Sequence, residues 1–517
     1  MRPARRCASL AASALAVLFV IGLPGGTRAQ EPFPGLEAYV AGAVAEWKMP
    51  GLAIAIVRND SIIYEKGFGV LAVGSSTAVN AHTLFEIGSS SKAFTATIVA
   101  MLVSDGKMDF DDRITRYLPT FRLYDPIASA EVTIRDALTH RSGIARGELT
   151  WLGSGTTREE VLHRVRFLEP ESPFRSRYSY QNMMFLAAGE AAGRAAGSTW
   201  DELVAQRIFT PLGMTTSVTN SQGLENENVA TPHGSVRDSA YVKPHLNMTN
   251  IGPAGSILSS VHDMAQWLRF QLGDGVFEGE RLIESAPFRE THTPQILMGG
   301  GGGGNDSVRV TNFSTYGMGW MVQDYRHQLM WQHGGNTDGM TAAVGMLPEQ
   351  NLGVVVLSNM ASAQLPGILM RWVFDRQLNA PVRDLAGDAR RRALAQRSRA
   401  DSAASEEAEH RADGPPPLPL TAYAGTYVDS LYGELTVSVQ GDRLELRRGD
   451  WYGPLEYWNG SNFRWTIYPS APLPPQFIKF DVAPDDRVTG VYFGIGQDVS
   501  LMRRRDPPAQ GRRAVSR

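Results

Sequence analysis

Alternating hydrophobic and polar positions near the start of the chain predict a β-hairpin. The segment GLAIAIVRNDSIIYEKGFG, residues 51–69, alternates as a strand, turns at Asn59 and Asp60, and returns as a second strand. Towards residue 360, the segments YGMGWMV, HQLMWQHGG and GMTAAVGMLPEQNLGVVVLSNM show the pattern of several antiparallel strands. Strands at both ends with helices between them predict an α+β fold in which the terminal strands meet in one sheet.

The hydrophobic spacing between these strands is that of helices. The segment SSSKAFTATIVAMLVSDG, residues 89–106, predicts a buried helix that ends at Asp105 and Gly106. The segment TIRDALTHRSGI, residues 133–144, predicts a short helix and a turn. Six consecutive glycines, residues 299–304, predict a flexible surface loop without a function of its own.

The pattern changes after residue 382. Residues 383–416 are charged, rich in alanine and end in prolines, which predicts a solvated helix or disordered linker followed by a stiff spacer. Residues 417–504 contain short alternating strands separated by Gly-Asp, Asp-Asp and Pro turns, which predicts a small antiparallel β-barrel. Residues 505–517 form a basic tail that we predict to be disordered. The aromatic residues of the barrel are interpreted as core: Tyr427, Tyr432, Trp451, Tyr452, Tyr457 and Trp465.

The first 29 residues are predicted to be a signal peptide. They combine a basic start, an apolar run of 14 residues and small residues before a plausible cleavage point. The alternative is an uncleaved anchor, but 14 apolar residues are short for a membrane span. We therefore expect an exported protein, periplasmic or extracellular, with no stable membrane anchor and a main domain at 30–382. The only cysteine, Cys7, precedes the apolar run, so the mature chain would contain no disulfide and no thiolate nucleophile.

Charge and composition exclude several classes of function. The formal net charge is −3 and the sequence pI is about 6.4, which gives no electrostatic support for binding nucleic acid or an acidic membrane. The ten histidines are scattered without close pairs, and no glycine-rich phosphate loop follows a strand. We therefore predict no metal site and no cofactor. Lysine is rare, with six against 44 arginines, so each lysine is informative.

One lysine has a serine three positions before it inside the predicted buried helix. Positions i and i+3 lie on one helix face, which brings Lys92 beside Ser89. A serine hydroxyl is a weak nucleophile until a base removes its proton, and a buried lysine has a lowered pKa that suits that role. The same spacing recurs by chance at Ser104 and Lys107, in a polar turn where a lysine would be solvated.

The segment FEIGSSSKAFTA, residues 85–96, resembles the active-site segment of serine β-lactamase-like hydrolases. These comprise class C β-lactamases, D-Ala-D-Ala carboxypeptidases, D-aminopeptidases and related esterases. The family's Tyr-x-Asn motif is matched by SYQN, with Tyr180 and Asn182, and its Lys/His-x-Gly motif by WQHGGNTDGM, with His333 and Gly335. The segments LTHRSGI, AGSILSSVHDMAQW and YGMGW also resemble family segments in the same order.

The resemblance covers residues 35–380 and implies a fold. That fold is the β-lactamase/penicillin-binding-protein type, an antiparallel sheet with flanking helices and a helical subdomain. Residues 418–504 resemble the small β domain that is attached to many of these hydrolases.

The resemblance also implies roles for the residues that react. Ser89 would be the nucleophile and Lys92 its activating partner. Tyr180 would be a second proton carrier, whose phenolate a neighbouring lysine cation makes more accessible. Backbone N–H groups of Ser89 and Asn336 would form the oxyanion hole.

Further roles concern the substrate. By the resemblance, Asn182 would bind the substrate amide and steady Lys92, while Gly334 and Gly335 would leave room for substrate along an edge strand. Each residue also has a purely structural alternative: Asn182 as a helix cap, for example, or His333 as an ordinary strand histidine. Many β-lactamases have lysine where this chain has His333, and a histidine is only partly charged near neutral pH.

The sequence therefore predicts an exported serine hydrolase that cleaves an amide or ester through a Ser89 acyl-enzyme. A D-amino-acid peptide, an ester or a β-lactam fits as substrate, and His333 favours a peptide or ester. A penicillin-binding sensor or peptidoglycan-binding protein that acylates without turnover is the first alternative. The second is a catalytically inactive interaction protein on the same fold. The expected partner is a small-molecule or peptide substrate, and the oligomeric state stays open.

Overall fold

The structure is a computed structural model that describes residues 31–224, 228–236, 238–299, 310–408, 411–468, 476–495 and 498–505. The predicted signal peptide, most of the predicted glycine loop and all but the first residue of the predicted tail lie outside these ranges. Within them no helix combines the length and apolar composition needed to cross a membrane.

Helices are the main regular elements between the terminal strands. The α-helices are α1 Leu36–Glu46, α2 Ser91–Ser104, α3 Pro126–Glu131, α4 Ile134–Leu138, α5 Arg158–Arg164, α6 Asn182–Ala196, α7 Trp200–Val204, α8 Gly252–Gly255, α9 Val261–Leu272, α10 Ser285–Thr291, α11 Leu365–Gln377, α12 Leu385–Ala408 and α13 Leu420–Tyr423. Short 3₁₀ turns span Gly88–Ser90, Ile114–Arg116, Glu148–Thr150, Val165–Phe167, Thr249–Ile251 and Pro348–Gln350, and a π-helical turn spans Ala205–Phe209.

The strands of the described residues fall into a large sheet, three small pairs and a barrel. The strands before the barrel are β1 Gly51–Arg58, β2 Ser61–Gly69, β3 Phe85–Glu86, β4 His233–Val236, β5 Ser239–Val242, β6 Leu258–Ser259, β7 Val276–Phe277, β8 Glu280–Arg281, β9 Ile296–Leu297, β10 Ser314–Tyr316, β11 Met321–Tyr325, β12 Gln328–Asn336, β13 Thr341–Leu347 and β14 Leu352–Ser358. The order in the large antiparallel sheet is β2-β1-β14-β13-β12-β11-β10-β9.

The predicted hairpin and the predicted meeting of the chain ends are both confirmed. Strands β1 and β2 pair antiparallel, and Asn59 and Asp60 between them have φ of 50° and 60°, the left-handed values of a tight hairpin turn. Strand β1 pairs on its other side with β14, so that Ala55 lies opposite Val355. Strands from the two ends of the domain therefore lie side by side in one sheet.

Helices cover both faces of this sheet. Successive residues of β1 belong alternately to two separate hydrophobic clusters. Leu52 and Ile54 belong to the cluster formed with α1 and α11, whereas Ala53 and Ala55 belong to the cluster formed with α2, α6 and α9. Because both faces are buried, β1 is a nearly continuous apolar run rather than an alternating strand. The helices on the second face include the predicted helical subdomain.

The segment after residue 382 begins as a helix. Helix α12 runs from Leu385 to Ala408, and its first turn contacts α1, where the Ala386 N–H donates to the hydroxyl of Tyr39 at 2.9 Å. Beyond it the predicted barrel is confirmed as a closed eight-stranded antiparallel barrel. Its strands are β15 Gly425–Asp429, β16 Gly433–Gln440, β17 Arg443–Arg448, β18 Trp451–Asn459, β19 Asn462–Trp465, β20 Gln476–Val482, β21 Val488–Ile495 and β22 Asp498–Arg504.

Aromatic side chains fill the barrel interior. Tyr423 packs against Phe463 and Phe480 with ring centroids 5.0 and 4.9 Å apart, and Tyr427 and Trp465 are also buried. The interpretation of the barrel aromatics as core therefore holds for most of them, whereas Tyr452 is exposed. The interior is packed with side chains, as expected for a small barrel.

Candidate active site

Ser89 and Lys92 meet where the 3₁₀ turn Gly88–Ser90 leads into α2. The predicted helix begins at Ser91, two residues later than expected, but the i, i+3 spacing still brings the two side chains together. Lys92 Nζ lies 2.9 Å from Ser89 Oγ. Ser89 is partly exposed, whereas Lys92 is fully buried.

The environment of Lys92 is apolar and aromatic. Its Nζ donates to the backbone oxygen of Ala254 at 2.8 Å and lies 4.8 and 5.5 Å from the ring centroids of Tyr180 and Phe185. Burial lowers the pKa of Lys92 well below its usual range, and the nearby carboxylate of Glu148 offsets only part of this effect. A neutral amine at this position keeps a lone pair that can accept the Ser89 proton.

Tyr180 approaches Ser89 from the other side. Its hydroxyl donates to Ser89 Oγ at 2.6 Å. Burial raises the pKa of Tyr180 above its usual range, although the hydrogen bond to Ser89 acts in the opposite direction. Burial thus favours the neutral form of both groups, whereas the sequence suggested a phenolate made accessible by a lysine cation.

His140 holds the segment that carries Tyr180. The backbone oxygen of His140 accepts from the Ser179 N–H at 2.8 Å, and its Nδ1 accepts from the Gln181 N–H at 3.0 Å. The imidazole ring lies 4.4 Å from the Tyr180 ring, and burial lowers the pKa of His140 well below its usual range. The residue lies in the LTHRSGI segment, whose role the sequence did not reveal because the contact is long-range.

Asn182 begins α6 and faces an acidic side chain rather than Lys92. Its Nδ2 donates to both carboxylate oxygens of Glu148, at 3.0 and 3.2 Å, so the expected contact that would steady Lys92 is replaced. Its Oδ1 is buried and has no hydrogen-bond partner among the described residues. Arg146 completes the group with an ion pair to Glu148 at 2.8 Å. Sequence reasoning missed Arg146 and Glu148, which lie outside the recognised motifs.

His333 is a buried, neutral residue. Its Nδ1 donates to the backbone oxygen of Gly334 at 2.7 Å, so its Nε2 is the atom that accepts the hydroxyl proton of Tyr316 at 3.0 Å. Burial, with a smaller effect from Lys92, lowers the pKa of His333 to about 3. The sequence suggested partial charge near neutral pH, but this environment leaves the ring uncharged.

Gly334 and Gly335, the two glycines predicted to leave room for a substrate, have different surroundings. A Cβ at Gly335 would lie 1.8 Å from the backbone oxygen of Ile87, so this glycine admits the turn that carries Ser89, not a substrate. A Cβ at Gly334 would meet only the Ala342 oxygen, at 3.4 Å.

Strand β12 is also not an edge strand, because it lies between β11 and β13. Its pairing with β11 nevertheless ends at Gln332, so residues 333–336 have no paired residue in β11, and the backbone oxygen of His333 accepts from the Ser90 hydroxyl at 3.2 Å.

The close approach of β12 to the turn that carries Ser89 also brings Asn336 beside that turn. A Cβ at Gly88, whose φ is 50°, would lie 2.8 Å from the Asn336 nitrogen. The backbone of β12 thus packs directly on the turn. The oxyanion hole formed by the N–H groups of Ser89 and Asn336 stays a prediction.

A cavity of about 310 Å³ contains these groups. Ser89, Tyr180, Asn182 and His333 line it, as do Gly334 and Asn336 from β12. The remaining wall comes from side chains that the sequence did not single out: Arg146, Glu148, Trp151, Met248, Ile251, Ala254 and Met321. The motifs that are far apart in the chain therefore converge on one site.

Two other features lie outside this cavity. Ser104 and Lys107, the chance copy of the motif, are at the far end of α2, where Lys107 is exposed. Glu65, His82 and His262 offer ligand atoms that lie within 4.8 Å of one another, a grouping of metal-ligand types that the sequence did not predict. Their wide separation along the chain left no spacing signal for it.

A Ser-Lys-Tyr cluster in a cavity between an antiparallel sheet and a helical subdomain defines a serine hydrolase with the penicillin-binding-protein fold. The chain belongs to the Beta-lactamase family, whose model matches residues 36–373. A second model, described as a domain of unknown function (DUF3471), matches residues 409–503.

Named relatives agree with this class. Unguisins hydrolase ungD of Aspergillus violaceofuscus (strain CBS 115571) is 28% identical over 443 residues, which are 80% of this chain and 78% of that protein. Penicillin-binding protein 4 of Amycolatopsis lactamdurans is 29% identical over 323 residues, 61% of this chain and 82% of that protein. The solved structure of the octameric penicillin-binding protein homologue from Pyrococcus abyssi aligns with a TM-score of 0.60 at 22% identity and covers 90% of this chain and 99% of that one.

Proposed function

We propose that this serine hydrolase cleaves an amide or ester through an acyl-enzyme on Ser89. The observation that carries the proposal is the position of Ser89 Oγ, 2.9 Å from Lys92 Nζ and 2.6 Å from the Tyr180 hydroxyl. Burial favours the neutral amine of Lys92, which can take a proton, and the neutral phenol of Tyr180, which can give one.

The proposed reaction has two halves. Ser89 Oγ attacks the carbonyl carbon while its proton passes to Lys92 Nζ, and the resulting tetrahedral oxyanion accepts hydrogen bonds from the N–H groups of Ser89 and Asn336. The bond to the leaving group then breaks, Tyr180 donates its proton to the departing nitrogen or oxygen, and the Lys92 ammonium restores it. In the second half, water attacks the acyl carbonyl by the same route, which releases the acid and regenerates Ser89.

The substrate class follows from the charge of the cavity wall. A neutral His333 supplies no cation for a substrate carboxylate, and Arg146, the exposed cation among the described residues that line the cavity, is paired with Glu148. This supports a peptide or simple ester over a β-lactam that depends on a carboxylate contact. The name of the relative from Aspergillus violaceofuscus, unguisins hydrolase, also favours turnover over stoichiometric binding. We further propose export, on the basis of residues 1–29.

The test combines covalent labelling with turnover. The purified protein is treated with a fluorophosphonate and separately with a penicillin, and the adduct is located by mass spectrometry beside p-nitrophenyl ester hydrolysis. We expect one adduct on Ser89, together with ester turnover, and loss of both in Ser89→Ala. A stable penicillin adduct without ester turnover would instead support the acylating sensor.

The chain supplies its own matched control. Ser104→Ala alters the serine of the chance Ser-x-x-Lys copy at the other end of α2, outside the cavity. This variant should label and turn over like the wild type. Equal activity of Ser89→Ala and wild type would overturn the proposed mechanism.

A further inference from the structure

The C-terminal barrel contacts a loop of the hydrolase domain that forms part of the active-site wall. The turn between β17 and β18 places the Asp450 N–H 3.2 Å from the Gly153 backbone oxygen, to which it donates. A Cβ at Gly153 would lie 2.4 Å from the ring of Trp451, and a Cβ at Gly449 would lie 2.4 Å from the Gly153 oxygen. Two glycines thus allow the two segments to touch backbone to backbone.

Arg448 is the buried charge at this contact. It is 2% exposed, and its guanidinium donates to the backbone oxygens of Leu152 at 3.1 Å and Tyr432 at 3.2 Å, and also to that of Leu149. Burial, with the charge of Arg164, lowers the pKa of Arg448 to about 10, so it stays charged at neutral pH. No carboxylate is among these partners, so the hydrogen bonds to carbonyl oxygens are what offset the cost of burying the guanidinium charge.

The loop that Arg448 holds carries two residues of the active-site wall. Arg448 binds the carbonyl oxygens of Leu149 and Leu152, which lie on either side of Trp151 in the sequence. Glu148 immediately precedes Leu149. Trp151 and Glu148 both line the cavity beside Ser89. Glu148 in turn accepts the hydrogen bonds from Asn182, and its charge raises the pKa of Lys92, so a shift of the loop would change the surroundings of both residues.

We propose that Arg448 is a positioning residue, which reaches from the barrel to fix the 148–152 loop and so sets the fit of the acyl substrate beside Ser89. The proposal rests on the proposed function and gives the barrel a part in it. Displacement of a wall by about 1 Å costs up to 10²-fold in rate when the reacting group is otherwise intact. The effect should be larger for a bulky acyl group that reaches Trp151 than for an acetyl group that does not.

The test replaces Arg448 by methionine, which fills similar space but donates no hydrogen bond. For Arg448→Met we expect kcat/KM for a bulky p-nitrophenyl ester to fall about 10-fold or more, mainly through KM, with a smaller change for p-nitrophenyl acetate. A loosened wall also admits water to Lys92, so the acid limb of the kcat/KM profile should move to higher pH. A merely structural role would not move that limb in folded protein.

Two further variants make the result decisive. Arg443→Met changes an exposed arginine at the other end of β17 and should match the wild type in every readout. Arg448→Lys keeps the charge with fewer donors and should fall between wild type and Arg448→Met; if Arg448→Met does not fold, this variant alone decides the question.

The two proposals can fail separately. A wild type that shows no Ser89 labelling would overturn the proposed function. A wild type that is labelled, beside Arg448 variants that keep the wild-type KM and acid limb, would overturn only the role of Arg448.

Discussion

Lys92 is fully buried, and burial has opposite effects on stability and on chemistry. The folded chain lowers the pKa of Lys92, whereas the unfolded chain restores the ordinary value near ~10.4. Between these two values the unfolded state binds more protons, so the free energy of unfolding rises with pH across that window. At neutral pH the folded state therefore bears the cost of keeping an amine neutral or of burying its charge.

The first prediction follows from this cost. Lys92→Met should lower kcat/KM by about 10²- to 10⁴-fold, because the general base is gone, while the melting temperature rises. Differential scanning fluorimetry and ester kinetics measure both. Lys107→Met, the exposed lysine of the chance motif, should change neither. A lower melting temperature for Lys92→Met would show that the amine stabilises the fold instead.

The second prediction concerns the acid limb of the pH profile. Lys92 must be neutral to accept a proton, so kcat/KM should fall as pH drops through its lowered pKa. His333 contributes no inflection between pH 5 and 8, because its pKa is about 3. The pH profile of His333→Gln should therefore have the same shape as that of the wild type over this range, even where the value of kcat/KM differs. Loss of the acid limb in that variant would assign the limb to the histidine.

The third prediction tests the role of the Tyr180 hydroxyl group. Tyr180→Phe removes the hydroxyl that donates to Ser89 and should reduce kcat by about 10²- to 10³-fold without unfolding the protein. Tyr178→Phe is the matched control, since its ring contacts His140 but its hydroxyl does not contact Ser89. Steady-state kinetics of both variants give the comparison. Equal losses in the two would point to packing rather than proton transfer.

At the scale of elements, local patterns were enough to predict the hairpin, α2 and the strands β12, β13 and β14. The segment YGMGWMV, predicted as a strand, instead contains the end of β10, a loop and the start of β11. The hydrophobic period and the turn residues at Asn59 and Asp60 are local properties. The position of β12 inside the sheet was missed because pairing partners are set by tertiary contacts, which a single strand does not record. For the same reason Gly335 was interpreted as space for substrate, although its neighbour is the backbone of Ile87.

The fourth prediction tests this packing of β12 on the Ser89 turn. Gly335→Ala would place a methyl group 1.8 Å from a backbone oxygen, so the turn must move. We expect destabilisation of about 1–3 kcal/mol by urea unfolding, with loss of Ser89 labelling. Gly334→Ala, with 3.4 Å of clearance, serves as the stability control and should unfold close to the wild type. Similar stability of the two variants would mean that the contact is looser than described.

At the scale of the whole molecule, the two folded regions could be predicted from the sequence, but their contact could not. Arg448 ends the strand RLELRR, where alternation places it on the same face as Leu444 and Leu446, but nothing local in the sequence supplies a partner for a buried guanidinium. Burial of its guanidinium depends on carbonyls about 300 positions earlier in the chain. Glu148 and Trp151 were missed with it, because a loop outside the recognised motifs has no periodicity that marks it as part of the site.

The last prediction is that the hydrolase domain and the barrel unfold together. Their buried apolar residues form one continuous cluster, and the Arg448 contact joins them beside the active site. Because the only cysteine is Cys7, in the predicted signal peptide, single cysteines can be introduced into the mature chain as dye sites. Ile127→Cys reports on the hydrolase domain and Val499→Cys on the barrel, and both positions are exposed.

In the wild-type background the two dyes should report the same melting temperature, since the regions share one core. In Arg448→Met the barrel dye should melt first, by about 3 °C or more, because the barrel loses its charged hydrogen bonds to the loop. Arg443→Met should keep the two transitions together. Separate transitions already present in the wild type would contradict a shared core and would restrict the barrel's influence to the loop at residues 148–152.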